Sequence, residues 1–184
     1  DHGETEYVNQ AIEVLKEEGM DPETFIETQS YNHHHGGGCP GAAMRDLSDA
    51  GPAEGDTRSQ LTHWPVQMHL INPEAAYFRN SDLLVAADCS AFTLGAFHSR
   101  FIQGKTVVIA CPKLDQGTDI YIEKLSAMID RALVNTITTV IMEVPCCGGL
   151  LQMVKLAAEK ATRKVPIKLV VAGIQGDILK EEWV

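Results

Sequence analysis

No apolar run in this 184-residue chain reaches the ~18–20 residues that a transmembrane helix needs, so no membrane span is expected. A secretory leader is also missing from the visible start. The chain opens Asp1-His2-Gly3-Glu4-Thr5-Glu6, which is polar and acidic. It opens without Met, which suggests a processed product or a fragment. Basic residues are few: 15 Lys and Arg stand against 25 Asp and Glu, a net charge of −10. That balance argues against nucleic acid or an anionic membrane as a partner. No Cys-x-x-Cys pair occurs, so the usual knuckles of structural zinc are lacking. There is no full glycine fingerprint for a nucleotide. Gly173-Ile174-Gln175-Gly176-Asp177 resembles a phosphate-binding turn only loosely. Five cysteines is an odd number, and without an export signal it points to metal or redox chemistry rather than a disulfide framework. A cytoplasmic location is the expectation.

What is there fits one α/β domain with an N-terminal appendage. Val8, Ala11, Ile12 and Leu15 follow helical spacing over about Thr5 to Gly19, with Gly19 as the stop. Asp21-Pro22-Glu23-Thr24 is a second helix-start signal. Residues 30 to 60 form a long polar, glycine-rich loop, and long loops in compact domains are usually functional or disordered. The expected division is an N-terminal helical arm with a covering loop over residues 1–62 and an α/β core over residues 63–184.

In the core, five strands are expected: Val66 to Ile71, Asp82 to Asp88, Lys105 to Ala110, Thr138 to Val144 and Ile167 to Gly173. Helices are expected over Ala91 to Phe101, Asp119 to Leu133, Leu150 to Ala161 and Gly176 to Glu182. Alternating strands and helices predict a parallel five-stranded sheet with helices on both faces, a Rossmann-like three-layer arrangement. Right-handed crossovers gather all strand carboxyl ends on one edge, outside which ligands sit.

The cysteines follow that geography. Cys89 comes just after the second expected strand, Cys111 after the third, and Cys146 and Cys147 after the fourth. Cys39 lies in the glycine loop His35-Gly36-Gly37-Gly38-Cys39-Pro40-Gly41, which would fold over the same edge. Gly37, Gly38, Gly148 and Gly149 would let the backbone approach a bulky inorganic group through positive-φ conformations. Taken singly, a cysteine is as readily a small buried hydrophobe as a ligand. Together, five loop cysteines beside Pro, Gly or Ser point to a shared site. Thiolates select zinc or an iron–sulfur cluster. Single cysteines converging from separate strand ends suit a cluster, commonly held by four Cys. That leaves one thiol over: a non-ligand, a redox partner, or a fifth ligand to an unusual cluster.

The tract His33-His34-His35 reads as a solvated loop, or as a ligand or proton carrier beside the cluster. His63, His69 and His98 read as structural. Lys113, just past Cys111, reads as a surface salt bridge, or as a charge that raises the potential of the cluster.

The motifs His35-Gly36-Gly37-Gly38-Cys39-Pro40-Gly41, Trp64-Pro65-Val66-Gln67, Ala87-Asp88-Cys89, Cys111-Pro112-Lys113-Leu114-Asp115 and Met142-Glu143-Val144-Pro145-Cys146-Cys147-Gly148-Gly149 together resemble the C-terminal domain of a group of iron–sulfur proteins of anaerobic microbes, named 4Fe–4S ferredoxins. The resemblance runs from about His35 to Val184. In that family a dicluster ferredoxin module precedes this domain, and this chain lacks its Cys-x-x-Cys-x-x-Cys run. The resemblance implies a redox function. The expectation is therefore an iron–sulfur (4Fe–4S) electron-transfer domain whose partner is a ferredoxin module or another redox protein. Homo-oligomerisation is left open. The alternatives are a small-molecule redox enzyme with an open or labile iron site, a cluster-free thiol enzyme using Cys146 or Cys147, and a structural zinc domain.

Overall fold

A computed structural model describes residues 12–16, 19, 44–46 and 58–184. The chain divides into two units, Asp1–Ala43 and Met44–Val184. The division falls before the 62/63 boundary expected from composition. In the first unit, residues 12–16 are helical. Gly19 stops them as anticipated: it takes φ +72°, and its N–H donates to the Lys16 carbonyl at 3.1 Å.

The second unit is built on one sheet. Its strands, in chain order after a short pair β1 (Arg45–Asp46) and β2 (His63–Trp64), are β3 (Asp82–Ala87), β4 (Thr106–Ala110), β5 (Thr136–Met142), β6 (Ile167–Ala172) and β7 (Ile178–Trp183). The spatial order is β4-β3-β5-β6-β7. The first four are parallel and β7 is antiparallel to β6. The central strands explain themselves. Leu83-Leu84-Val85-Ala86-Ala87 and Ile137 through Met142 are buried throughout, as strands covered on both faces must be.

Helix α1 (Ser90–Thr93) and a π-helical turn (His98–Ile102) connect β3 to β4. Helix α2 (Asp119–Asp130) connects β4 to β5, and α3 (Gly148–Lys160) connects β5 to β6. With right-handed crossovers, the first connection lies on one face and the other two on the opposite face. Helices α2 and α3 pack against each other. Tyr121, Leu125, Met128 and Ile129 of α2 and Leu150, Met153, Val154 and Ala157 of α3 are the faces turned to the core.

Two elements differ from expectation. Val66 to Ile71 is not a strand of the sheet. Gln67 makes a single parallel bridge to Ile109, then Leu70 N–H turns back to the Gln67 carbonyl at 2.9 Å. Prolines at 65 and 73 flank the segment and limit any longer ladder. The segment covers the outer edge of β4 instead: Ile109 N–H donates to Val66 at 2.9 Å, and Val107 N–H to His63 Nε2 at 3.0 Å. The fifth strand is β7, where a helix was expected. Ile178-Leu179-Lys180-Glu181-Glu182-Trp183 is rich in helix formers, but propensity is a weak prior. A tight turn at Gly173–Gly176 sends the chain back along the free edge of β6. Glu181 then pairs with Lys168, whose ammonium also lies over the Trp183 ring.

Helix boundaries shift as well. The single helix expected over Ala91 to Phe101 is broken into α1 and the π-helical turn. Helix α2 ends at Asp130 rather than Leu133, because Leu133 adopts φ +58°. Among the described residues no helix is long and apolar enough to cross a membrane.

Candidate functional site

Strand order builds the site. The chain runs from β3 outward to β4, then crosses back over β3 to β5. The connections leaving β3 and β5 therefore depart to opposite faces, which makes the carboxyl ends of these two neighbours the topological switch point of the sheet. Adjacent strands lie about 4.8 Å apart, so the loops after β4, β3 and β5 emerge side by side. Each carries cysteine: Cys111, Cys89, and the pair Cys146–Cys147.

These loops are fastened to one another. Ser90 Oγ donates to the Ala87 carbonyl at 2.7 Å and anchors the turn that presents Cys89. Thr93 Oγ1 donates to the Ser90 carbonyl at 3.1 Å and lies 3.5 Å from Met142 Sδ, which sets α1 against the end of β5. Glu143 Oε1 accepts from Ile174 N–H at 2.9 Å, which ties the β5 loop to the β6–β7 turn. On the other side, Pro112 lies so close to Gly149 that a Cβ there would sit 3.1 Å from the proline Cβ. Cys111 N–H donates to Asp115 Oδ2 at 2.9 Å, and Tyr121 Oη donates to the same oxygen at 2.8 Å. Asp115 thus closes the Cys111 loop on itself and pins it to α2.

None of the four described cysteines is in a disulfide. Cys89 and Cys146 are exposed, Cys111 is half-buried, and Cys147 is 5% exposed. Cys146 and Cys147 occupy a 3-10 turn, Pro145–Cys147, that runs straight into α3. Burial pushes the Cys147 thiol up in pKa, and the nearby Cys146 and Cys89 sulfurs add to this, while a backbone hydrogen bond at Met142 works against it. The electrostatic links from Cys147 to both Cys146 and Cys89 place these three thiols in one neighbourhood. Cys111 instead neighbours Tyr121, whose phenol is raised in pKa by burial first and by Asp115 second. Asp88 completes this side. Burial and the Asp115 charge raise its carboxyl, and its Oδ1 is buried without a hydrogen bond.

Gly148 and Gly149 do not act through positive φ. Gly148 takes φ −58°, ψ −28°, and both residues belong to the first turn of α3. Gly149 is small because Pro112 packs on it, and Gly148 faces open space, with nothing within 4 Å of a Cβ there. Cys39, Gly37, Gly38 and His33 to His35 lie outside the described residues. Of the other histidines, His63 is fully buried, His98 Nδ1 accepts from Gln60 N–H at 3.1 Å, and His69 packs its ring edge-on to Tyr121 at 4.7 Å. Lys113 is exposed.

Asp115 and Tyr121 were not singled out from the sequence. The signal available was Asp115 four residues after Cys111, within reach of its own loop's N–H. The exposed apolar rim was also missed. Phe92 is 91% exposed, Leu114 79% and Ile174 64%, and they sit on the connections after β3, β4 and β6, Phe92 within α1.

Among the described residues, no three His, Cys, Asp or Glu side chains form a group that could hold a metal ion. A mononuclear thiolate site needs every sulfur about 2.3 Å from one point. A polynuclear cluster spreads its ligands over separate irons, so thiols on neighbouring loops suit it better. The donor set and the open space at Gly148 fit such a group. A separate groove of about 320 Å³ lies between α2 and α3, lined by Glu123, Ser126, Ala127, Asp130, Arg131 and Lys160. Its mixed charges and solvent exposure set it apart from the thiol edge, which holds the reactive side chains.

A protein of Archaeoglobus fulgidus described as uncharacterized is 27% identical over 121 residues, which cover 65% of this chain and 83% of that protein. No solved structure matches. Residues 75–184 match the model of the Rossmann-like domain, the span that contains β3 to β7 and all four described cysteines. With a mostly parallel five-stranded sheet and its described thiols on the loops at the carboxyl edge, the chain belongs to the Rossmann-like domain family.

Proposed function

We propose that this domain holds an iron–sulfur cluster at the carboxyl edge of its sheet and serves in electron transfer. The observation that carries this reading is the placement of four described thiols on three adjacent loops at the carboxyl edge of the sheet, around its topological switch point. Cysteines at strand ends, next to the N-terminus of α3, supply the soft anionic donors and amide dipoles that a metal–sulfur cofactor uses. The motif resemblance to the C-terminal domain of the 4Fe–4S ferredoxins points the same way. Bound there, the cluster would supply one-electron chemistry. The chain itself would hold the thiolates in place, through Asp115 on the Cys111 loop and Ser90 on the Cys89 turn. Phe92, Leu114 and Ile174 would form an apolar rim where a ferredoxin module or another redox protein docks. A small-molecule redox enzyme is the second reading, favoured by the exposure of Cys89 and Cys146.

Anaerobic preparation of the full chain tests this. Brown protein with stoichiometric iron and acid-labile sulfide, and a cluster signal by electron paramagnetic resonance after reduction, is the expected result. Colourless protein that carries zinc, or none of these metals after reconstitution with iron and sulfide, overturns it. A Cys39→Ser variant extends the same assay to the fifth thiol on sequence grounds.

A further inference from the structure

We infer that Cys147 is not a cluster ligand, and that Cys89, Cys111 and Cys146 are the described thiols that face the cofactor. This rests on the iron–sulfur reading above and deepens it. Cys146 and Cys147 are adjacent in a 3-10 turn, where successive side chains point about 120° apart. Their sulfurs lie close enough to interact, and Cys147 also interacts with Cys89, but the two differ in burial. Cys146 is exposed, whereas Cys147 is 5% exposed and belongs to the contiguous apolar core.

The turn is fixed in that orientation from several sides. Cys147 N–H donates to the Val144 carbonyl at 3.1 Å, and Gly148 N–H donates to the Pro145 carbonyl. Pro145 occupies the first position of the turn, where its ring presets φ. Swinging the Cys147 sulfur outward would draw it out of the apolar core. It would also vacate a core position that a small, soft side chain fills well.

With Cys147 turned inward, the pattern becomes regular. Each of the loops after β4, β3 and β5 presents one thiol: Cys111, Cys89 and Cys146. Neighbouring strands set these loops at intervals of about 4.8 Å, a spacing for separate irons rather than one. Three thiolates leave one position of a four-iron cluster to a ligand other than these.

The test uses the full chain, prepared anaerobically, with single substitutions and three readouts: iron and sulfide per chain, the paramagnetic resonance spectrum, and the thermal midpoint. Cys147→Ala is expected to keep the wild-type iron and sulfide content and spectrum, with a lowered thermal midpoint from the lost core volume. Cys89→Ser, Cys111→Ser and Cys146→Ser are each expected to lose at least half of the iron or to change the spectrum. If Cys147→Ala does not fold, Cys146→Ser decides, because an exposed serine leaves the core intact. Full iron and an unchanged spectrum in Cys146→Ser would mean that Cys147 is the ligand of the pair, and would overturn the assignment. Iron loss in a folded Cys147→Ala would do the same. A wild-type chain that takes up no iron overturns the cluster itself. Pulsed maleimide labelling of that protein would then separate the two failures. Slow labelling of Cys147 beside fast labelling of Cys146 upholds the inward orientation, and equal rates refute it.

Discussion

Pro112 and Gly149 touch across the carboxyl edge of the sheet, and through them the loop that carries Cys111 rests on the helix that begins at the Cys146–Cys147 turn. The contact spans a strand, since β3 lies between β4 and β5. A side chain at 149 would have to push against a rigid ring, with its Cβ 3.1 Å from the Pro112 Cβ, whereas one at 148 would meet nothing within 4 Å. Both positions lie in a helical first turn, where alanine is favoured over glycine by up to about 1 kcal/mol. In urea unfolding of the apoprotein, Gly148→Ala is expected to gain stability. Gly149→Ala should fall below it by roughly 1 kcal/mol as the proline gives way. Equal stabilities for the two variants would show that the Pro112 contact carries no weight.

The turn between β6 and β7 depends on a different glycine. Gly176 takes φ +92°, and a Cβ there would meet the Thr93 carbonyl oxygen at 2.6 Å. Backbone strain and a backbone clash then act together, and α1 cannot retreat without disturbing the contact of Thr93 with Met142. Gly176→Ala is expected to destabilise by about 2–3 kcal/mol, measured as a drop in the urea midpoint at unchanged slope. A loss within experimental error of zero would mean that the turn relaxes freely.

Much of this geometry was open to reading in the residues, and its limits have physical causes. Buried parallel strands announce themselves as unbroken apolar runs, so Leu83–Ala87 and Val107–Ala110 were legible, and with them the cysteines that follow. The crossing at β3 was not. Strand order depends on how faces pack, which no local pattern encodes. Edge elements were misread for the same reason. Val66 and Ile71 look like strand residues, and Leu179 to Glu182 look helical, yet their state is set by an open sheet edge beside them. The two thiols of Cys146–Cys147 read alike in sequence. Their separation into an exposed and a buried one comes from a 3-10 turn that only the packed structure defines.

Asp115 should matter more than its surface-like sequence context suggests. Its Oδ2 accepts from both Cys111 N–H and the buried Tyr121 hydroxyl. Tyr121→Phe removes one partner and keeps the ring, with an expected loss of about 1–2 kcal/mol. Asp115→Ala strands both donors, and an expected loss of about 2–3 kcal/mol follows. Urea unfolding of both single variants and the double variant checks this as a cycle. If the shared carboxylate is the link, the double variant loses less than the two single losses together. Strict additivity would show that Asp115 and Tyr121 act independently.

His63 gives the second unit a pH dependence of definite sign. Its ring is fully buried, stacked on Tyr77 at 4.3 Å, and its Nε2 accepts from Val107 N–H on the edge of β4. Burial lowers its pKa from 6.5 to about 4, with the Pro65 backbone and the Asp46 charge opposing this only in part. The unfolded chain therefore binds a proton near pH 6.5 that the folded chain refuses until about pH 4. Stability contributed by the neutral ring is fully present above pH 6.5 and is lost as pH falls towards 4. The whole span amounts to about 3 kcal/mol. Urea unfolding between pH 7.5 and 5 should show wild-type stability falling with acid. His63→Gln keeps an acceptor for Val107 N–H but cannot titrate, so it should start lower and stay flatter across this window. Carboxylates shared by both proteins contribute equally and cancel in the difference. Parallel curves for the two would show that the imidazole at 63 does not set the acid response.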